Sequence, residues 1–169
     1  MSVPAPPRAT IRAVALPPPA ADRAYLEQGM AALQDVERAI EPNRLPGPAM
    51  AAPHVAALLQ EAAASEGLVL IAENADGPCA FLFALVEEAF GTVVDPRNRR
   101  LAVISDLWIE PDARGTGLVE ALIARAEAHA SAAGLARIEV SALWLNARAQ
   151  AAYRKAGFAP SLVTFAKAL

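Results

Sequence analysis

The fold turns on the stretch Glu110-Pro111-Asp112-Ala113-Arg114-Gly115-Thr116-Gly117-Leu118-Val119. It follows an aliphatic run, Leu101 to Ile109, that reads as a strand, and it opens an alanine-rich run, Leu118 to Ala133, that reads as a helix. Pro111 ends the strand because proline cannot donate to a ladder. Two glycines and an arginine therefore stand at a helix N-terminus, where backbone N–H groups lack partners and the helix dipole is positive. Such a turn is a physical anion site, and glycine lets the backbone approach a ligand closely. It is not a Walker loop, which needs Gly-Lys followed by Ser or Thr, and it lacks the third glycine of a dinucleotide fingerprint. Taken alone, the stretch fits a phosphate site and a plain strand-to-helix turn equally well.

A second stretch separates the two. Asn146 to Phe158 reads N-x-x-A-x-x-x-Y-x-K-x-G-F. Asn146 suits the N-cap of a short helix, Tyr153 lies two turns on and near the same face, and Gly157 suits the stop. With both stretches in place, the chain resembles the GCN5-related N-acetyltransferase superfamily. The Arg114-Gly115-Thr116-Gly117-Leu118-Val119 run resembles its pyrophosphate motif, Q/R-x-x-G-x-G/A, and the second stretch resembles its second signature. The resemblance is close from Leu101 to Phe158 and compatible in element order over almost the whole chain. One departure is Val119, where Gly or Ala is usual.

The resemblance implies an acyl-CoA N-acyltransferase fold of the α/β class, with a central mixed sheet of six to seven strands flanked by about four helices. It implies one domain over 9–169, and the proline-rich start, Met1 to Arg8, predicts a disordered tail at 1–8. It also implies an acetyl-CoA-dependent N-acetyltransferase that passes the acetyl group to a primary amine of a small molecule, peptide or protein by direct attack, without a metal. Arg114, Gly115, Thr116, Gly117, Leu118 and Val119 would hold the pyrophosphate, mainly through backbone N–H groups. Leu107, Trp108 and Ile109 would pair with the pantetheine arm through their backbone, at a splay between parallel strands. An N–H there, that of Leu107, would polarise the thioester carbonyl. Asn146 would touch the pantetheine or the helix start, and Tyr153 would protonate the departing thiolate.

The base stays open at this stage. Asp106 is the only acid inside the Leu101 strand; alternation puts it and Ser105 on opposite faces, and a bulge would decide which one meets the substrate. Glu87, Glu88 or a water chain are alternatives. So are two other functions: a catalytically degenerate CoA-binding module, and an acyltransferase with another donor or a hydroxyl acceptor. A homodimer is compatible with the sequence and not demanded by it.

Outward from the motifs, Ala9 to Leu16 reads as a strand closed by prolines, and Asp22 to Ile40 as an amphipathic helix. Pro42, Pro46, Gly47 and Pro48 predict a loop, with Pro53 in the first turn of a second helix ending near Glu66. Leu68 to Glu73 and Cys79 to Glu88 predict an antiparallel hairpin, followed by a polar loop from Gly91 to Arg100. Arg137 to Leu145 predicts a strand parallel to Leu101 to Ile109 through a right-handed crossover, and Leu162 to Ala166 a last strand. The N-terminal helices, the Pro42 to Ala52 loop, the Gly91 to Arg100 loop and the last strand are expected to build the acceptor pocket. His54 and His129 stand alone without metal-ligand spacing, Cys79 reads as a small buried hydrophobe, and Trp108 and Trp144 are expected to pack the sheet.

Composition sets the outer bounds. The chain has 169 residues, 55% of them apolar, with a net charge of -3. That length suits one domain, and the plentiful aliphatics exclude general disorder. The mild acidity and the lack of a long basic run argue against nucleic-acid binding. The single cysteine, with no signal peptide or long apolar run, points to a reducing, cytoplasmic setting without a membrane span.

Overall fold

The computed structural model describes residues 9–89 and 94–167. The expected tail at 1–8 and residues 91–93 of the expected polar loop lie outside the described residues. Five strands form one sheet in chain order: β1 (Thr10–Ala13), β2 (Leu68–Asn74), β3 (Gly77–Glu88), β4 (Arg100–Ile109) and β5 (Ile138–Val140). The first three pairings are antiparallel, and β4–β5 is parallel across helix α3 (Leu118–Ala132), as the crossover predicts.

Two apolar clusters divide the sheet's faces. Helices α1 (Ala20–Ile40) and α2 (Gly47–Ala64) cover one face, where Leu26, Met30, Val55, Phe81, Phe83 and Trp108 pack together. Helix α3 covers the other face over Leu70, Leu82, Ile104 and Ile109, and Tyr153 and Phe158, flanking the end of α4 (Ala147–Lys155), pack against the same cluster. Alanine lets the helices approach: Ala62, Ala126 and Ala130 are buried where larger side chains would hold the layers apart. Gly29 brings α1 close to the sheet, since a Cβ there would meet Phe81 Cε1 at 2.7 Å.

Several expectations are corrected. The sheet has five strands among the described residues, not six or seven. No strand forms at Leu162 to Ala166, although its apolar pattern suits one; Leu162 and Phe165 are exposed. A strand needs a partner edge, and β5 offers only three residues. The Arg137 to Leu145 run shortens to those three because the chain leaves β4 after Val140, which also leaves Trp144 exposed instead of packed on the sheet. Helix α2 starts six residues before Pro53. Its first N–H, that of Gly47, donates to Asp35 Oδ1 on α1 at 2.7 Å, so the cap comes from another helix.

A partly buried polar link ties β1, α1 and β2 together. Arg12 donates to both carboxylate oxygens of Asp22, at 2.8 and 2.7 Å, and also to Glu73. The guanidinium holds the Asp22 carboxyl below the usual carboxylate range. A depressed folded-state pKa adds stability that is present above the unfolded value and lost as pH falls through the folded one. Asp22→Asn is therefore expected to cost about 1 to 3 kcal/mol at pH 7, below the full cost of breaking a buried pair because Arg12 is partly solvated. In urea titrations at descending pH, the gap from wild type should close in the acid range.

Candidate active site

The site begins at an irregularity in β4. Phe83 pairs with Asp106 and Ala84 with Ile104, so Ser105 is an extra residue, a β-bulge. Facing residues follow from it. Ile104 packs on the α3 side, while Trp108, four residues on, packs on the α1–α2 side; strict alternation would put both on one side. Asp106 lies opposite Phe83 and so faces α1 and α2.

The same bulge turns the backbone. The Glu110 N–H donates to Cys79 O on β3, so by alternation Asp106 and Trp108 also pair with β3. Leu107 then presents its N–H and C=O, and Ile109 its N–H, to the other edge, while the Ile109 C=O accepts from Arg114 Nε. That edge is open, because pairing of β4 with β5 ends at Ile104 and Val140 while β4 runs on to Ile109.

The open edge leads into the glycine turn. Gly115 and Gly117 have φ of +75° and +85°, and a Cβ at either would meet nothing within 4 Å. Backbone conformation, not crowding, demands glycine there, and the space over the turn is free for a ligand. No side chain caps α3. The Thr116 hydroxyl donates instead to Ala113 O at 2.7 Å, which leaves the first-turn amides of the helix for an anion. Acidic Glu120 in this turn is ion-paired with Lys155 of α4. Val119 packs against the α3-side core.

Arg114 takes a different position from one lying over the turn. Its Nε donates to Ile109 O at 3.1 Å, and its guanidinium stacks 5.1 Å from the centroid of Trp108. Burial and nearby Arg148 pull its pKa down, so a negative ligand at this place gains from both cations.

Two groups of titratable side chains feel each other's charge near the place where β4 and β5 part. Half-buried Tyr153 reaches from α4, its ring set edge-on to Phe158 at 6.2 Å. Burial pushes its phenol up to about 12, and the charges of Glu37 and Asp106 add to the shift. The second group holds Asp106, His54 of α2 and Glu37 of α1. His54 Nε2 lies 3.6 Å from Asp106 Oδ2, and Asp106 followed by Glu37 raises the imidazole pKa against burial. Burial raises Glu37 too, opposed by Arg44 at 2.8 Å. His54 corrects the expectation that it stands alone; only tertiary structure brings α2 over β4, so local sequence carries no signal of the pair.

The remaining candidates fall elsewhere or serve the scaffold. Glu87 and Glu88 pair with Leu101 and Arg100, at the far end of β4 from the glycine turn, and are not brought to Asp106. Asn146 caps α4 by accepting from the Ala149 N–H at 3.1 Å. Cys79 is buried in the α3-side core, and desolvation raises its thiol pKa. Among the described residues no group of three or more His, Cys, Asp or Glu is placed to hold a metal, and no helix is long and apolar enough to cross a membrane.

One substitution tests the turn directly. Gly117→Val is expected to destabilise the chain by about 1 to 2 kcal/mol, because a β-branched residue resists positive φ. Calorimetric titration with coenzyme A should also show weaker binding.

The fold has counterparts among known proteins. A GCN5-related N-acetyltransferase from Ralstonia eutropha is 22% identical, with a TM-score of 0.72 over 96% of this chain and 99% of that one. A tetramutant protein of Bacillus halodurans is 16% identical, with a TM-score of 0.76 over 95% and 99%. Glucosamine-6-phosphate N-acetyltransferase from Arabidopsis thaliana is 14% identical, with a TM-score of 0.66 over 95% and 98%. These likenesses are of fold. No curated protein matches the sequence. The sequence model of the Acetyltransferase (GNAT) family matches residues 33–158, three quarters of the chain, and the chain belongs to that family of acyltransferases.

Proposed function

We propose that the chain is an acetyl-CoA-dependent N-acetyltransferase that acts on a primary amine of a small molecule or peptide, within a ternary complex. The observation that carries this reading is the continuity of an uncapped, glycine-opened helix start with the open edge of β4. A diphosphate and an extended amide-bearing arm need those two features in that order. Bound acetyl-CoA supplies an acyl group activated as a thioester.

The chain's residues divide the remaining work. Gly115, Thr116, Gly117, Leu118 and Val119 offer amides to the pyrophosphate, with Arg114 beside them. Leu107 and Ile109 pair with the pantetheine from the β4 edge, and Trp108 fixes that edge in the core. The Leu107 N–H polarises the acyl carbonyl oxygen, which gains negative charge during attack. Asn146 sets the start of α4, and hence where Tyr153 stands. Tyr153, protonated throughout the neutral range, gives its proton to the departing sulfur. Asp106, on the opposite side of the opening, supplies negative charge where the attacking ammonium sheds its proton.

In this reading the domain spans 9–169 and works in the cytoplasm, with a homodimer as its compatible assembly. The test is release of free thiol from acetyl-CoA over a panel of primary amines, with product mass confirming N-acetylation. Tight coenzyme A binding without thiol release for any amine overturns the reading. Competition among acyl-CoA chain lengths, and alcohols in place of amines, separates it from other acyl transfers.

A further inference from the structure

We infer that His54 is the group that takes the proton from the attacking ammonium, with Asp106 as the positioning residue that holds its imidazole. The inference rests on the amine-acetylation reading above and names the residue at which the proton leaves.

Exposure separates the two partners. The His54 side chain is 39% exposed and that of Asp106 only 14%, so an entering amine meets the imidazole with the carboxylate behind it. Orientation adds to this. His54 Nε2 faces Asp106 Oδ2 at 3.6 Å, an ion-pair distance that favours a proton on Nε2 and leaves Nδ1 as the ring nitrogen turned from the carboxylate. Glu37, the other carboxylate facing this group, is held by Arg44 at 2.8 Å. Tyr153 stays protonated through the neutral range and so offers no phenolate to take the proton. On α2 itself the only other charged residue, Glu61, sits seven residues on, about two turns away. Asp106 and Glu37 both raise the affinity of His54 for a proton, which moves an imidazole towards the operating pH suited to a base.

The proton account closes. The ammonium gives one proton to Nδ1, and the freed amine forms a C–N bond to the acyl carbon. The nitrogen's second surplus proton passes to water. The C–S bond breaks with its electron pair on sulfur, which takes the Tyr153 proton, and the phenolate recovers one from water. His54 then returns its proton to solvent, so each turnover yields an amide, a thiol and one net proton.

The test joins kinetics and titration. Wild-type kcat/KM should rise with pH through the His54 pKa, above the ordinary imidazole value. His54→Gln should lower kcat by about 10²-fold or more near pH 7. That deficit should shrink as pH approaches the amine's own pKa, because a neutral amine needs no base; a structural role would not behave so. The chain has only two histidines, so NMR titration assigns the His54 signal by its loss in His54→Gln. In Asp106→Asn that signal should titrate at lower pH and the acidic limb of kcat/KM should move with it. Wild-type turnover and pH profile in His54→Gln, or an unmoved His54 titration in Asp106→Asn, overturns the inference. Failure of the acetylation reading looks different, as wild-type protein that releases no thiol with any amine.

Discussion

Replacing Tyr153 with phenylalanine is expected to lower kcat about 10²- to 10⁴-fold while leaving the affinity for acetyl-CoA unchanged. The substitution deletes one oxygen. The ring keeps its edge-on packing with Phe158 and its place against the α3-side core, so the fold loses little. What disappears is a proton donor at the opening between β4 and β5. Burial and the charges of Glu37 and Asp106 keep the phenol protonated up to about pH 12, so no other ionisation of this group intrudes in the neutral range. Thiol release measured under saturating acetyl-CoA, beside a binding isotherm for coenzyme A, checks both halves. Unchanged kcat would move the acid role to another group or to water.

Phe81→Ala is expected to cost about 3 to 5 kcal/mol, a large part of the roughly 5 to 15 kcal/mol that holds a domain together. Phe81 is fully buried at the centre of the α1–α2 side. It stands edge-on to Tyr25 at 6.3 Å and to Phe83 at 5.7 Å, and pairs with Trp108 across β3 and β4. The hole left by its ring cannot close easily. Gly29, the residue of α1 that faces the ring, has no side chain to fill the space, and the sheet is fixed by its hydrogen bonds. Thermal unfolding should shift down by roughly 6 to 20 °C. Because Trp108 carries the Arg114 guanidinium, looser packing beneath it should also weaken coenzyme A binding.

Local chemistry made much of the molecule legible. Pro111, the two glycines and an alanine-rich helix fix the turn after β4 within a few residues, and Asn146 caps α4 as its residue type predicts. The β2–β3 hairpin follows from Asn74 to Gly77, where Asn74 Oδ1 accepts from the Asp76 N–H and Gly77 adopts positive φ. What stayed hidden depends on partners far along the chain. Asp35 caps α2 from α1, so Pro53 gave a false start. His54 and Asp106 are fifty-two positions apart and meet only once α2 lies across β4. Leu162 to Ala166 has a strand's pattern, but pattern does not supply an edge to join. Alternation could flag that Ser105 and Asp106 compete for one face; only the pairing with β3 shows which residue is the extra one.

That extra residue makes β4 two strands of opposite phase spliced at Ser105. Before the splice, Ile104 belongs to the core under α3; after it, the even-numbered Asp106 and Trp108 belong to the other side. A continuous strand must serve one assignment of faces along its whole length. A spliced one lets each half keep its own assignment, so that Asp106 meets His54 of α2 while Ile104 stays under α3, with the change confined to Ser105.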